Sequence, residues 1–339
     1  MAGRIAVIGS GSWGTAAAGL LAAHASDVRV WAHSPKVAEA INRTHRNPRH
    51  LKDYELPANV SASHDFAEVL DGAESMVMVV PSSFLRGICE GLRGLVREDL
   101  PIVVLTKGIE PGTHLLMADV VADVLGNPGR VAALSGPNHA EEICQGLISA
   151  AVVACQSEEL AAYFQEAFVS QEFRVYRSQD IKGVEVCAAV KNVVAIACGI
   201  CAGLGLGDNT LAVLMTRGLA EISRIVCAVG GDPMTCMGLA GMGDLVATCT
   251  SRHSRNRTFG EAFSHGESLE AYEERTGMVV EGARAALSTW ELARELKIEV
   301  PLTNAVHSIL YDGTGLGEAA QLLLDRDPHV EFYGLDTRE

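Results

Sequence analysis

The sequence has no excess of positive charge, and this shortage narrows the range of its partners. Of its 339 residues, 27 are Lys or Arg and 42 are Asp or Glu, which gives a formal net charge of −15. Nucleic acids and anionic membrane surfaces attract basic proteins, so neither is expected as a general partner. A basic cluster in such an acidic chain therefore stands out as a candidate site.

The sequence also lacks the segments that carry a protein to or through a membrane. Its start, MAGRIAVIGSGSWG, leads directly into a strand and a turn, without the charged leader, apolar region and cleavage site of a secretory signal. Charged residues or repeated glycines interrupt the apolar stretches before they reach about 18 to 20 residues. We therefore expect a cytoplasmic protein without a membrane span.

Disulfide and metal frameworks are missing as well. The nine cysteines lie among Ala and Val, which is typical of buried thiols in a reducing compartment. Cys198 and Cys201 form a CxxC, but no second pair and no His partner stands at the spacing of zinc ligands. We expect no metal site, and we find no internal repeat or low-complexity segment.

The apolar patterning divides the chain into two parts. A hydrophobic content of 48% over this length supports a large core and favours two domains. The first half alternates short apolar runs with helical segments, which is typical of a parallel sheet covered on both faces. After the polar stretch SQDIKG, long Ala, Leu and Val segments carry Glu and Arg at helical spacing. We predict an α/β domain with a parallel-rich sheet over residues 1–180 and an all-α domain over residues 181–339. The predicted strands are Arg4–Ile8, Val28–Ala32, Met76–Val80, Ile102–Leu105, Val131–Leu134, Ala150–Ala154 and Phe173–Tyr176.

A glycine-rich turn stands between the first predicted strand and an Ala-rich helix, with the sequence Gly9-Ser10-Gly11-Ser12-Trp13-Gly14. Glycines at these positions allow a tight turn, let backbone N–H groups approach a pyrophosphate, and let the helix pack closely on the strand. This placement indicates a Rossmann-like dinucleotide site. The alternative is a turn that only packs a helix and binds nothing.

The end of the second predicted strand bears on the choice of cofactor. An acidic residue there accepts hydrogen bonds from an adenosine ribose and repels a 2′-phosphate. This chain has His33, Ser34 and Lys36 instead of a carboxylate. The sequence therefore favours NADP(H), with use of NAD(H) as well left open, unless these are ordinary loop residues.

Lys191 lies in the apolar helical run CAAVKNVVAIA. Its neighbours three and four positions away are Ala188, Val194, Cys187 and Ala195, so it does not belong to a solvated polar stripe. Burial lowers the pKa of an ammonium group towards neutrality, which suits general acid–base work at a carbonyl or alcohol. The alternative is a lysine that reaches solvent at the helix edge.

Three further segments supply polar groups at turns and strand ends. Asp244 follows the glycine-rich turn LAGMG, where a carboxylate can orient a lysine, although such turns are common. The segment SRHSRNR at residues 251–257 is basic, and its guanidinium and amide donors suit a phosphate, although a solvated loop explains it too. Lys107 follows a predicted strand, at the edge where open α/β sheets bind ligands, and LSGPNHA follows the next strand.

Taken together in chain order, these motifs resemble one family over nearly the whole chain. The motifs are GSGSWGTA, TKGIE, LSGPNHAEE, the segment from Val184 to Asn192, GLGDNT, GLAGMGDL, TSRHSRNRTFG and MVVEG. They are similar to those of NAD(P)-dependent glycerol-3-phosphate dehydrogenases of the bacterial, soluble type. A 6-phosphogluconate or hydroxyacyl dehydrogenase would share the glycine-rich turn but not the TKGIE, GDL and SRN set. A cofactor-sensing protein without turnover would have no need of Lys191.

The resemblance assigns roles to individual residues. Lys191 is expected to be the proton donor and acceptor, with Asp244 as its acidic partner. The expected substrate contacts are Lys107, Gly136, Asn138, Lys191, Asn192, Asp244, Ser254, Arg255 and Asn256. The expected cofactor contacts are Gly9, Gly11, Ser12, Trp13, Gly14, His33, Lys107, Ala140, Arg255, Val279 and Glu281. The chain departs from the common motif at Asn138 and His139, but Asn138 can still donate a hydrogen bond.

The resemblance also implies the reaction. Hydride would pass between the nicotinamide of NADP(H) or NAD(H) and the carbonyl carbon of dihydroxyacetone phosphate, giving sn-glycerol 3-phosphate for glycerophospholipid synthesis. Lys191 would deliver the proton, and Arg255 with its neighbours would hold the phosphate. No metal takes part. The expected partners are this small-molecule substrate and a second copy of the chain in a homodimer.

Overall fold

The computed structural model describes residues 2–327, 330–331 and 333–335. The chain divides into two compact units. Unit 1 comprises Met1–Lys107 with Met117–Ile181, and unit 2 comprises Gly108–Leu116 with Lys182–Glu339. The outer ends of the predicted domains, at residues 1 and 339, lie outside the described residues.

Unit 1 contains an eight-stranded sheet within the described part of the chain, with the strand order β3-β2-β1-β4-β5-β6-β7-β8. Neighbouring strands run parallel except for the antiparallel pair β6 and β7. The first six strands have the order typical of a Rossmann-type dinucleotide-binding sheet. The strands are β1 (Ala2–Ile8), β2 (Ala25–Trp31), β3 (Val60–Ser63), β4 (Ala73–Met78), β5 (Ile102–Val104), β6 (Val131–Ser135), β7 (Ser149–Ala154) and β8 (Phe173–Ser178).

The burial of the strands follows their position in the sheet. Consecutive residues of the central strand β1, from Ile5 to Ile8, are at most 1% exposed, so both faces of the sheet are covered there. The edge strand β8 instead alternates, with Phe173 and Val175 buried and Arg174 and Tyr176 exposed. The helices of unit 1 are α1 (Ser12–Ala22), α2 (Pro35–Thr44), α3 (Phe66–Leu70), α4 (Ser82–Leu92), α5 (Met117–Leu125), α6 (Ala140–Ile143) and α7 (Glu158–Phe168).

The predicted α/β half with a parallel-rich sheet is confirmed, and each of the seven predicted strands overlaps an observed strand. Strand β3 was missed. Its sequence VSAS is short and half polar, with only alternate residues buried, because it is the outermost strand beside β2. An edge strand of this kind carries little of the apolar signal on which the prediction relied.

Unit 2 is helical, as predicted. Its helices are α8 (Ile181–Gly203), α9 (Asp208–Ala228), α10 (Asp244–Thr250), α11 (Arg255–Ser264), α12 (Leu269–Thr276), α13 (Glu281–Leu296), α14 (Pro301–Tyr311) and α15 (Leu316–Leu324). Helix α8 is long and apolar enough to cross a membrane by length and composition alone. However, 83% of its most apolar stretch is buried in the structure, so α8 serves as the core helix of a soluble fold.

The strip Gly108–Leu116 joins unit 2 although it lies between two segments of unit 1 in the sequence. Ile109 and Leu116 form an isolated antiparallel bridge, and both side chains are buried in the apolar core that also contains residues of α8 and α13. The ring nitrogen Nδ1 of His114 lies 2.6 Å from a carboxylate oxygen of Glu295 on α13. A single boundary near residue 180 does not foresee this strip.

Candidate active site

The glycine-rich turn connects β1 to α1, and its three glycines differ in what surrounds them. Gly9 has a φ of +130°, and a Cβ there would lie 2.5 Å from the Val79 carbonyl oxygen. A Cβ on Gly14 would lie 2.1 Å from the Gly9 carbonyl oxygen, so this glycine lets α1 begin close to the strand. A Cβ on Gly11 would meet nothing within 4 Å among the described residues. The turn is thus packed on one side and open at Gly11.

The open side of the turn coincides with the N-terminus of α1. Gly11 is the N-cap residue and supplies no side-chain acceptor, while Ser12 and Trp13 are the first residues of the helix. The N–H groups of a first helical turn carry a partial positive charge and bind phosphate well. In the described part of the chain, the Trp13 indole N–H is buried without a hydrogen-bond partner. These residues fit a pyrophosphate-bearing cofactor.

The loop after β2 carries no acidic side chain in the first turn of α2. His33 is exposed and lies with its ring 5.9 Å from Trp31, while Ser34 is the N-cap residue of α2 and Lys36 is exposed. No carboxylate in this loop therefore repels a 2′-phosphate.

Lys107, Gly136 and Asn138 come together at the carboxyl ends of β5 and β6, two neighbouring strands. The Lys107 ammonium donates to the Gly136 carbonyl oxygen at 3.4 Å and to the Asn138 Oδ1 atom at 3.3 Å. A Cβ on Gly136 would lie 2.5 Å from the Ala150 carbonyl oxygen, so the close packing of this loop requires glycine. Ala140, two positions after Asn138, is the first residue of α6 and is buried.

Asn138 presents an unused donor in this cluster. Its side chain is 9% exposed, and within the described residues its Nδ2 atom is buried without a hydrogen-bond partner. An unsatisfied buried donor costs about 1 to 3 kcal/mol, so its persistence points to a ligand acceptor. The asparagine at which this chain departs from the common motif is therefore equipped to donate a hydrogen bond.

The centre of unit 2 holds a buried ion pair. Lys191, in the middle of α8, is 5% exposed, and its Nζ atom lies 3.1 Å from the Asp244 Oδ1 atom. Asp244 is 3% exposed and begins α10 directly after a π-helical turn, Leu239–Gly243. A Cβ on Gly241 would lie 2.1 Å from the Cys236 carbonyl oxygen, so the turn that delivers Asp244 requires glycine there.

Thr248 completes this pair and was not predicted. The Lys191 ammonium donates to the Thr248 Oγ1 atom at 2.5 Å, and the Thr248 hydroxyl donates to the Asp244 carbonyl oxygen at 2.6 Å. The signal was present in the sequence, because Thr248 stands four residues after Asp244 and so lies on the same face of a helix. With two of its donor directions fixed, the Lys191 ammonium has a defined position beside a carboxylate.

The predicted substrate residues Asn192 and Asn256 contact each other. The Asn256 amide donates to the Asn192 Oδ1 atom at 2.8 Å, and its own Oδ1 atom accepts from the Gly282 N–H at 2.9 Å. Both are buried. This network links α8, α11 and the start of α13, so Asn256 has its oxygen and one amide hydrogen engaged within unit 2.

The basic loop ends at the N-terminus of α11. Ser254 is the N-cap residue, and its hydroxyl accepts from the Arg257 N–H at 3.3 Å. Arg255, the first residue of the helix, is exposed, whereas Arg257 is held by Glu261 at 2.7 Å. An exposed arginine at the first position of a helix stands next to N–H groups that carry a partial positive charge, and both kinds of donor suit an anion.

Val279 and Glu281 flank the N-cap residue of α13, Val280, and both are half-buried. The Val280 N–H donates to a carboxylate oxygen of Glu273 at 2.8 Å, which fixes the chain at this point. Among the described residues, no group of three or more His, Cys, Asp or Glu side chains is arranged to hold a metal ion.

A Rossmann-type sheet with an open glycine-rich turn, and a helical unit with a buried lysine–carboxylate pair, define a nicotinamide-dependent dehydrogenase. The chain belongs to the NAD-dependent glycerol-3-phosphate dehydrogenase family. The profile of the N-terminal part of that family matches residues 4–161, and the profile of its C-terminal part matches residues 180–321.

Individual relatives agree over almost their full length. A glycerol-3-phosphate dehydrogenase (NAD(P)+) from Nocardia farcinica is 48% identical over 330 residues, covering 95% of this chain and 98% of the relative. A protein of the same name from Clostridium perfringens is 41% identical, covering 97% of this chain and 99% of the relative. The crystal structure of glycerol-3-phosphate dehydrogenase from Coxiella burnetii matches with a TM-score of 0.90 and 38% identity, covering 95% of this chain and 99% of that one.

Proposed function

We propose that the protein interconverts dihydroxyacetone phosphate and sn-glycerol 3-phosphate with NADP(H) or NAD(H). The observation that carries this function is the buried pair of Lys191 and Asp244, with a separation of 3.1 Å. A buried charge is costly unless it is paired, and such pairs are often neutral or unfavourable for stability. Proton transfer and charge stabilisation at a carbonyl oxygen supply the reason to retain one here.

The cofactor belongs to unit 1 in this proposal. Gly9, Gly11 and Gly14 with Ser12 and Trp13 would hold the pyrophosphate, and His33 would lie near the adenosine ribose. When bound, a reduced nicotinamide supplies the hydride that goes to the substrate's carbonyl carbon. The absence of a carboxylate after β2 favours acceptance of NADP(H) without excluding NAD(H).

Lys191 would hold the proton that completes the alcohol. Its ammonium donates this proton to the carbonyl oxygen in the direction of reduction and recovers it in the direction of oxidation. Asp244 and Thr248 orient the ammonium, and its positive charge stabilises the oxygen as negative charge develops there. Asn138 would donate a hydrogen bond through its Nδ2 atom, which has no partner among the described residues.

The substrate phosphate would bind at the N-terminus of α11. Arg255 supplies a guanidinium, and Ser254 with the first-turn N–H groups supplies further donors. Holding the phosphate fixes which face of the carbonyl reacts. The remaining assignments follow the family motifs: substrate contacts from Lys107, Gly136, Asn192, Asp244 and Asn256, and cofactor contacts from Lys107, Ala140, Arg255, Val279 and Glu281.

The proposal extends to the setting of the enzyme. Residues 1–180 would form the dinucleotide-binding domain, apart from the strip Gly108–Leu116, and residues 181–339 the substrate-binding and catalytic domain. The product would feed glycerophospholipid synthesis in the cytoplasm, and the enzyme would work as a homodimer.

The test is the oxidation of NADPH and of NADH followed by absorbance, with and without dihydroxyacetone phosphate. We expect oxidation that depends on the substrate, with at least one of the two cofactors. Folded protein that binds either cofactor but shows no substrate-dependent oxidation would instead be a cofactor-sensing binding protein, and the proposal would fail.

A further inference from the structure

Asn47 is a fully buried amide that lies against the glycine-rich turn. It stands in the segment after α2 and is 0% exposed, which is unusual for an asparagine outside helices and strands. Its Nδ2 atom donates to the Ser10 carbonyl oxygen at 2.8 Å and to the Thr15 Oγ1 atom at 2.9 Å. Its Oδ1 atom accepts from the Arg49 and His50 N–H groups at 3.0 and 3.2 Å.

These four contacts use both amide hydrogens and both acceptor positions of the side chain. Two of them reach across more than thirty residues to the turn and to α1, and the other two fold the local chain around Asn47. A fully satisfied buried amide fixes the position of every group that it contacts. Asn47 therefore ties the segment after α2 to the turn at Ser10 and to α1 at Thr15, one point on each side of Gly11.

The bond to Ser10 has a directional consequence for the turn. In a planar trans peptide the C=O of one residue and the N–H of the next point in opposite directions. Because Asn47 holds the Ser10 carbonyl, the Gly11 N–H points away from Asn47. Gly11 is also the glycine at which an added Cβ would meet nothing within 4 Å among the described residues. The bond to the Thr15 Oγ1 atom holds a side chain in the first turn of α1.

We propose that Asn47 is a positioning residue for the pyrophosphate of the nicotinamide cofactor. It does not touch the cofactor, but it presets the backbone donors of the turn so that they need no rearrangement on binding. This inference rests on the proposed function. Because the pyrophosphate is common to both cofactors, Asn47 should support NADH and NADPH equally.

The chain offers a matched control at the other end of α1. The Asn59 amide donates to the Ala22 and Ala25 carbonyl oxygens at 2.9 and 3.0 Å. Asn47→Ala and Asn59→Ala each remove an asparagine whose amide donates twice, the first at the start of α1 and the second between the end of α1 and the start of β2. Only Asn47→Ala removes a contact to the turn. Thr15→Val preserves shape and removes a single acceptor of the Asn47 amide, in case Asn47→Ala fails to fold.

The experiment measures the Kd for NADH and NADPH by fluorescence titration, together with kcat at saturating cofactor and the thermal midpoint. For Asn47→Ala we expect both Kd values to rise by about tenfold or more, while kcat at saturation stays within about threefold. Thr15→Val should raise both Kd values by a smaller factor, and Asn59→Ala should leave them within about twofold.

Three results would overturn the inference. The first is a pair of Asn47→Ala and Asn59→Ala variants with equal losses of thermal stability and unchanged Kd values, since Asn47 would then be merely structural. The second is an Asn47→Ala effect on NADPH alone, since the pyrophosphate is shared. The third applies if Asn47→Ala does not fold: unchanged Kd values in Thr15→Val would then overturn the inference. Wild-type protein that binds neither cofactor would refute the proposed function itself.

Discussion

Lys191 and Asp244 form an ion pair in the interior of unit 2, so the proposed catalytic role of Lys191 and the stability of unit 2 depend on the same position. Removing the ammonium leaves Asp244 buried at 3% exposure without its countercharge. Breaking a buried pair typically costs about 3 to 5 kcal/mol, because the remaining charge is uncompensated. A variant of Lys191 is therefore informative only beside one that also neutralises Asp244.

For Lys191→Met we expect kcat with dihydroxyacetone phosphate to fall by roughly a thousandfold or more, because both the proton and the stabilising charge are lost. The thermal midpoint should fall as well. The double variant Lys191→Met with Asp244→Asn should recover thermal stability but not activity. The measurement is kcat, cofactor affinity and thermal midpoint on the same preparations. A folded Lys191→Met variant with more than a tenth of the wild-type kcat would remove Lys191 from the proposed role.

Arg255 is exposed like its neighbour Arg252, but it is the first residue of a helix. Loss of a charge-assisted contact to the substrate phosphate costs about 1.5 to 3 kcal/mol, so Arg255→Ala should lower kcat/KM by about tenfold or more. Arg252→Ala is the control, since Arg252 is exposed in the same loop but stands before the helix. Equal kcat/KM values for Arg255→Ala and wild type would assign the loop to the solvated surface.

Residue types and spacing were enough to single out Lys191 and Arg255 as candidates, because a lysine in an apolar helix and a basic loop in an acidic chain are both unusual, whereas the role of Asp244 follows from the family motif. They were not enough to predict Thr248 or Asn47. Threonine is common on helices, and its role here depends on a side chain 57 residues away. Asn47 stands in a basic, polar segment that is typical of a surface loop, and its role depends on contacts with Ser10 and Thr15, more than thirty residues away in the sequence.

The N-terminus of helix α14 is capped by a side chain from another helix. It begins with Pro301 after the N-cap residue Val300, which has no side-chain acceptor. Glu221 on α9 supplies the acceptor instead, taking hydrogen bonds from the Leu302 and Thr303 N–H groups at 2.8 and 3.0 Å and from the Thr303 hydroxyl at 2.5 Å. A distant carboxylate thus caps the helix in place of a local side chain.

The same carboxylate makes the stability of unit 2 depend on pH. Desolvation by burial raises the pKa of Glu221 above its ordinary value of 4.5, although its hydrogen bonds and Arg224 act in the opposite direction. The folded chain therefore binds this proton more tightly than the unfolded chain does. The associated stability is fully present below the unfolded pKa and is lost as the pH rises through the folded pKa.

Glu221→Gln is the isosteric neutral reference for this prediction. We expect the wild type to lose thermal stability relative to Glu221→Gln as the pH rises above about 4.5. The measurement is the thermal midpoint of both proteins between about pH 4 and pH 8. A difference that stays constant, or that shifts towards the wild type with rising pH, would contradict the assignment.

Elements with many apolar residues could be predicted from the sequence, and those without them could not. The central strands are buried on both faces and appear as short Val-rich runs, whereas the edge strand β3 has the half-polar sequence VSAS. Helix α6 has only four residues, too few for a helical period to emerge. Whether β3 and α6 form depends more on their tertiary contacts than on the local propensity of their sequences.

At the scale of the whole molecule, the strip Gly108–Leu116 belongs to the core of the helical unit. Leu116→Ala removes a large apolar side chain that is 5% exposed and should destabilise that unit by about 2 to 5 kcal/mol. Hydrogen exchange followed by mass spectrometry on the full chain should show faster exchange in α8 and α13 than in wild type. Unchanged exchange in the central strands β1 and β2 is the internal control.

Faster exchange confined to β4 and β5 after Leu116→Ala would contradict this assignment, because those strands belong to unit 1. The alanine variant is paired with Leu95→Ala, which truncates a leucine that is 46% exposed in unit 1 and should leave exchange in both units unchanged.

The strip Gly108–Leu116 also determines which chimeras of this protein and its relatives keep the core of unit 2 from a single parent. A crossover at one point near residue 181 transfers the helices of unit 2 but leaves Ile109 and Leu116 from the other parent in their core. Such a chimera inherits a core of mixed origin, whereas a transfer with additional junctions before residue 108 and after residue 116 moves the core intact. An exchange of unit 2 that keeps its core intact therefore needs three junctions in the sequence, not one.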